Sequence, residues 1–225
     1  MALIKPITSL SISIVCYDSP KEHLLALFES LRKSILRVSD SFEFSFVKIY
    51  LIDNSKKKCL DLKDVKALQI ACETSELELS YLHGHGNIGY GRAHNLILEK
   101  LNSRYHLILN PDIVLDEDAL LASIRILDDD SKIAMLSPSA LDFSGEKQYL
   151  CKRYPSIFTL FIRGIPSRNL KKLFVRRLDK YEMRELPETG SSVSVPIVSG
   201  CFMFVRAEFF RKLNGFDKKY FLYFE

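Results

Sequence analysis

The residues from His83 to Asp112, HGHGNIGYGRAHNLILEKLNSRYHLILNPD, bring together four glycines (Gly84, Gly86, Gly89, Gly91), a helical segment starting near Arg92, and a short apolar strand, Leu107 to Leu109, that runs into Asn110-Pro111-Asp112. Such a stretch could hold phosphate and a metal. Glycine lets the backbone approach a ligand at positive φ, a helix start offers N–H groups to an anion, and an acid at a strand's end can carry a divalent cation against phosphate oxygens. The same glycines serve equally well as a structural turn between strand and helix. Two more polar clusters follow apolar runs: Cys16-Tyr17-Asp18 after Ser11 to Val15, and Asp53-Asn54-Ser55 after Phe46 to Ile52. His83, His85 and His94 lack the strict spacing of metal ligands, and the first two, set among glycines, read as loop histidines, while Cys16 and Cys201 read as small buried hydrophobes.

These clusters need elements to position them. Ser11 to Val15 predicts a first strand, and Ser19-Pro20-Lys21-Glu22 a capping box with proline at the first helical position. Leu24, Leu27, Phe28, Leu31 and Ile35 then recur at helical spacing. Phe46 to Ile52 and Leu77 to Leu82 read as strands, Leu96, Ile97 and Leu101 as a helix face, and Tyr105 to Leu109 as a fourth strand. Asp116-Glu117-Asp118 opens a helix whose dipole favours them, Ile133 to Leu136 is a fifth strand, and Asp142 to Gly145 a turn. Val193 to Val198 and Phe202 to Val205 flank Ser199-Gly200, and Ala207 to Leu213 is a short helix. Strand and helix alternate, which predicts an α/β fold with a mostly parallel central sheet and helices on both faces. Ligands then sit beyond the carboxyl ends of the strands, where the three polar clusters fall.

With 225 residues, 47% hydrophobic and 27% charged, the chain suits a soluble globular domain. Its five scattered cysteines, without a C-x-x-C pair, point to reduced thiols and a cytoplasmic location. The alternating serines near the N-terminus fit a strand better than a signal peptide, and no apolar run approaches the roughly 20 residues of a membrane span. From Cys151 to Arg184, basic residues are interleaved with Phe158, Phe161, Phe174 and aliphatics, a basic amphipathic insertion (151–184) suited to peripheral contact at the inner face of a membrane. A net charge of only +4, with the bases in one segment, argues against nucleic acid as a partner. The aromatic run Tyr220 to Glu225 at the end is expected to continue, so a truncated C-terminus is the expectation.

In this order the motifs resemble a family 2 glycosyltransferase of the GT-A fold, of the bacterial rhamnosyltransferase-like branch. The matching pieces are Cys16-Tyr17-Asp18, Asp53-Asn54-Ser55, Asn87-Ile88-Gly89 with Gly91, Ala93 and Asn95, Leu109-Asn110-Pro111-Asp112, Ser199-Gly200-Cys201-Phe202 and Gly215-Phe216-Asp217. The resemblance implies one GT-A-like domain over 1–225, with a nucleotide-sugar-binding half at 1–115 and an acceptor-side half at 116–225. It assigns Cys16, Tyr17 and Asp53 to the nucleotide base pocket, Asn87 and Asn95 to the ribose and diphosphate, Asn54, Gly89 and Asn110 to nucleotide-sugar binding in general, and Gly200, Cys201 and Phe202 to the acceptor side. Asp112 is the implied ligand for Mg²⁺ or Mn²⁺, with Asn110 replacing the first Asp of a DxD-like motif. Glu225, first of the family's Glu-Asp pair, is the implied catalytic base and Asp217 the next candidate. The implied partners are a nucleotide-diphospho-sugar, such as dTDP-L-rhamnose, and a glycan or lipid-linked acceptor, with inversion at the sugar. A nucleotide-sugar-binding module without turnover is the alternative.

Overall fold

The computed structural model describes residues 5–71, 77–166, 172–186 and 192–222. The described residues form two compact units, the first made of the residues up to 136 together with those from 200 onward, and the second of residues 137–199. The first unit holds a six-stranded sheet in the order β3-β2-β1-β4-β8-β5. Its strands are β1 (Ile7–Cys16), β2 (Glu43–Asp53), β3 (Leu77–His83), β4 (Tyr105–Leu109), β5 (Met135–Leu136) and β8 (Phe202–Arg206). β1 to β4 are mutually parallel, and β8 runs antiparallel between β4 and β5. The sheet is therefore mostly parallel, as the alternation predicts.

Period two on each strand divides the core. Leu10, Ile12 and Ile14 of β1 and Val47, Ile49 and Leu51 of β2 face the side covered by α1 (Lys21–Ser39), α2 (Leu62–Ala71) and α4 (Ala119–Asp129). Val15, Tyr50, Ile52 and Ile108 face the opposite side, with Ala93 of α3 (Tyr90–Asn95), Ile97 and Leu101, and Phe210 of α7 (Ala207–Lys212).

Several starts and stops depart from the sequence pattern. The capping box does not form: Pro20 is the N-cap of α1 and accepts from His23 and Leu24 N–H at 3.2 and 3.4 Å, while Ser19 Oγ accepts from Tyr17 N–H. α2 has a weak apolar stripe and is announced instead by Asp61, whose Oδ1 accepts from the N–H groups of Lys63 and Asp64 at 2.8 Å each. α4 starts only after the acids. Asp116 caps the preceding turn, and Asp118 pairs with Arg37 of α1 at 2.7 Å. Ile97 and Leu101 are buried, but on a turn and a short 3₁₀ segment (Leu98–Lys100) that follow α3. Val193 to Val198 makes a single bridge, Ile197 to Lys152, and no strand.

β8 returns from the second half of the chain to complete the first unit's sheet, carrying 207–222 with it. The second unit contains a two-stranded ribbon of β6 (Ala140–Leu141) and β7 (Lys147–Gln148), then α5 (Ile157–Gly164) and α6 (Val175–Tyr181). The basic stretch 151–184 lies within it.

The α3 side of the sheet carries a buried polar network where β1 meets β4. Ser13 Oγ lies 2.7 Å from His94 Nδ1 and 3.0 Å from His106 Nε2, and Ser11 Oγ lies 2.8 Å from His106 Nδ1 and 2.6 Å from Ser103 Oγ. His94 is thus a core residue. Its Nε2 has no partner among the described residues and packs among the rings of Tyr90 and Phe216. Burial holds His106 down to about 3 and His94 well below its ordinary value. Both rings are therefore neutral in the fold, whereas unfolded histidine titrates near 6.5. As pH falls below about 6.5 the unfolded chain takes up protons first, so stability drops by up to about 1.4 kcal/mol per pH unit for each ring. Urea denaturation between pH 7 and 5 is expected to show this loss, and His106→Gln to make the pH dependence about half as steep while lowering stability at pH 7. An unchanged slope would remove His106 from the account.

Candidate functional site at the carboxyl edge of the sheet

Parallel register aligns the predicted residues. Cys16 of β1 sits opposite Asp53 of β2, which sits opposite His83 of β3, and Ile14 opposite Leu109 puts Asn110 at the same edge. Because β8 is antiparallel to β4, its beginning and not its end reaches this edge. Asn110 N–H donates to the Cys201 carbonyl at 3.0 Å, and the Asn110 side-chain amide lies 3.6 Å from Cys201 Sγ. Phe202 is buried opposite Leu109, and Gly200 accepts from Tyr90 Oη at 2.6 Å. A Cβ at Gly200 would come within 2.9 Å of that hydroxyl.

Alternation sends the two polar residues after Ile52 to opposite faces. Asn54 turns towards the glycines: its Nδ2 donates to the Gly89 carbonyl at 3.1 Å, its Oδ1 lies 2.8 Å from His85 Nε2, and its N–H donates to the Cys16 carbonyl at 2.9 Å. Asp53 faces the other way and is fully buried. Its carboxylate accepts from Ser55 N–H at 2.9 Å, Cys59 N–H at 2.8 Å, Cys59 Sγ at 3.4 Å and Tyr81 Oη. Burial pushes its pKa up, but these hydrogen bonds outweigh burial and hold the carboxyl below its ordinary value. Burial, then the hydrogen bond to Asp53, raises Tyr81, and burial with the nearby Asp53 charge raises the Cys16 thiol. Asp53, which the resemblance gives to a base pocket, here orders the loop 54–59. Cys59 and Tyr81 had no role in the sequence reading, although Tyr81 lies on the same face of its strand as Leu77 and Leu79 and so was due to face Asp53.

The Gly-rich turn uses its conformational freedom twice over. Gly84, Gly86 and Gly89 have φ of 104°, 69° and 89°, and a Cβ on Gly89 would run into the Phe221 carbonyl oxygen. That carbonyl accepts from Tyr90 N–H at 3.1 Å. Asn87 is exposed, with Oδ1 accepting from Gly89 N–H at 3.1 Å. Asn95, assigned by resemblance to ribose or diphosphate, is engaged elsewhere: Nδ2 donates to the Phe216 carbonyl at 2.8 Å and Oδ1 accepts from Phe216 N–H at 2.9 Å. Arg92 Nε donates to the Lys218 carbonyl at 2.8 Å. α3 and the segment 215–222 therefore hold one another beside the turn.

Of the other predicted residues, Tyr17 is 55% exposed, and Asp217 is exposed with Oδ1 accepting from Lys219 N–H at 2.9 Å. Glu225 lies outside the described residues. Asp112 is exposed just beyond β4. One accessible carboxylate completed by waters and phosphate oxygens suits Mg²⁺ or Mn²⁺. The ligand atoms of Cys16, Asp53 and Cys59 also lie within 4.8 Å of one another, but two are thiols and the Asp53 oxygens are taken by donors, so this cluster does not suit a hard cation.

Gly89→Ala is expected to destabilise the fold by about 1–3 kcal/mol, because it combines an unfavourable φ with a backbone collision. Limited proteolysis should then cut first near Phe221. A variant as stable and as resistant as the parent would exclude this close approach.

No family model matches the chain. It is similar to the rhamnosyltransferase WbbL of Escherichia coli (strain K12), 28% identical over 178 residues that make up 73% of this chain and 61% of that protein. Among solved structures, the mannosyltransferase PcManGT from Pyrobaculum calidifontis, in complex with GDP-Man and Mn²⁺, matches with a TM-score of 0.53 at 15% identity, over 93% of this chain and 47% of its own. GalNAc-T7, with UDP, GalNAc and Mn²⁺, matches with a TM-score of 0.58 at 14% identity, over 96% and 38%. The chain thus spans about three fifths of the curated relative's length and half or less of these structures' chains. The fold is that of the GT-A glycosyltransferases.

Proposed function

We propose that the chain carries the donor site of a glycosyltransferase that moves a sugar from a nucleotide-diphospho-sugar to a glycan or lipid-linked acceptor. The observation that carries this reading is the aligned edge. Cys16, Asp53 and His83 stand in one row, the Gly-rich turn closes one side of it, and Asn110 to Asp112 with Cys201 lie at the β4 end. This is the crevice beyond the carboxyl ends of a parallel sheet, where strand order switches between β1 and β4. The name of the curated relative favours a rhamnosyl donor, and the motif resemblance suggests dTDP-L-rhamnose.

In this reading Tyr17 and Asn54 border the base, with Asp53 acting through the loop it orders. Asn87 and the turn's backbone N–H groups face the phosphates, and Asp112 holds the metal. A divalent cation there would neutralise charge on the departing diphosphate. A carboxylate on the acceptor side, Glu225 or Asp217, takes the acceptor hydroxyl's proton, and the displacement inverts the anomeric carbon. Gly200, Cys201 and Phe202 shape the acceptor side.

Titration calorimetry with dTDP- and UDP-sugars tests the donor site. Donor affinity in Mn²⁺ is expected to fall at least tenfold in Asp112→Ala and to be little changed by that substitution in chelator. An equal loss in both conditions would take the metal away from Asp112, and no binding of any nucleotide sugar would sink the reading itself. Transfer assays on Asp217→Asn and Glu225→Gln then separate the two bases, because loss of the true base costs about 10²- to 10⁴-fold in turnover with donor affinity kept.

A further inference from the structure

We propose that the outward face of α5, together with the exposed cations of the same unit, is a docking surface for an anionic lipid bilayer. In this helix Thr159 and Ile162 are buried. At about 100° per residue the opposite face carries Ile157, Leu160 and Phe161, exposed by 90%, 42% and 67%. The outward face is thus apolar, where a solvated helix would place charge. Leu173 and Val175 add to the apolar surface of the same unit at 75% and 49% exposed. α5 is held firmly: Ser156 Oγ caps it by accepting from Thr159 N–H at 3.1 Å, Phe158 packs edge-on to Phe174, and Arg177 lies over the Phe158 ring.

Charge selects the occupant. The acids Asp179, Glu182 and Glu185 are each engaged by Arg184, Lys152 or Arg153. Arg163, Lys172, Arg176, Arg177 and Lys180 make no ion pair with a described residue, and all five are exposed. A unit that carries both an outward apolar helix face and exposed cations without an ion pair to a described residue matches the headgroup plane, where apolar side chains enter the acyl boundary and Lys or Arg meets anionic lipid. Nucleic acid would use the cations and leave Ile157 and Leu160 in water. An apolar protein partner would desolvate the cations without compensation. The contact is peripheral, since no described helix is long and apolar enough to cross a membrane. The surface stands on its own geometry and does not depend on the donor site.

Co-sedimentation of the full chain with phosphatidylglycerol–phosphatidylethanolamine vesicles, against phosphatidylcholine vesicles, tests it, with sedimentation velocity run alongside. Binding is expected on the anionic vesicles only and should weaken with salt. Ile157→Ser with Phe161→Ser should cut it at least tenfold, since each buried side chain contributes about 1.5–3 kcal/mol. Lys172→Gln with Arg176→Gln should cut it about 30-fold, from about 1 kcal/mol per charge. All four positions are exposed, so thermal stability should be unchanged. Failure to bind anionic vesicles, equal binding to neutral ones, or self-association that Phe161→Ser abolishes would each overturn the proposal, the last by showing that a second copy covers the face.

Discussion

Parallel pairing of β1 with β2, in the register that sets Cys16 against Asp53, is the constraint on which the rest of the first unit depends. Side chains alternate along a strand, so a one-residue slip would exchange every inward and outward position. The register therefore decides that Asp53 faces Tyr81 and Cys59, and that Asn54 faces Gly89 and His85. The two neighbouring residues do different jobs: one anchors a loop, and the other ties the ends of two strands to the Gly-rich turn. A carboxylate buried with four donors is stabilised by them, and removing any donor leaves charge in a poor solvent.

The same alternation places the Ser11, Ser13 and His106 network in the middle of the sheet. A paired buried hydroxyl or imidazole contributes little net stability, and in this network every hydroxyl and ring nitrogen except His94 Nε2 is paired. The network therefore acts mainly on geometry. It holds α3 against β1 through His94, and α3 in turn carries Tyr90 and Asn95, which grip Gly200, Phe216 and Phe221. The Gly-rich turn is thus braced from below by the core and from the side by the end of the described chain. A turn braced in this way loses less entropy on binding any ligand.

The second unit follows a different economy of surface. Its cations near the acids are paired, whereas Lys172, Arg176 and Lys180 make no ion pair with a described residue, and α5 turns apolar side chains to solvent. Exposed apolar area of that kind raises the free energy of the isolated chain unless something covers it.

Read alone, the sequence determined the alternation of strands and helices, the mostly parallel sheet, and the row of polar clusters at its carboxyl edge. These follow from local periodicity and from the residues at strand ends, which are properties of short windows. The ordered motifs were enough to point to the GT-A fold. Even the buried network had left a trace, because Ser9, Ser11 and Ser13 alternate with apolar residues and so share a face of β1. What only the tertiary structure decided is what each polar group touches. Asp53 is closed off by Cys59 and Tyr81, Asn95 is occupied by Phe216, and His94 lies in the core. β8 crosses from the second half of the chain to finish the first unit's sheet. Each of these depends on contacts between residues 6 to 121 positions apart, set by register and packing, and no window of sequence carries that information.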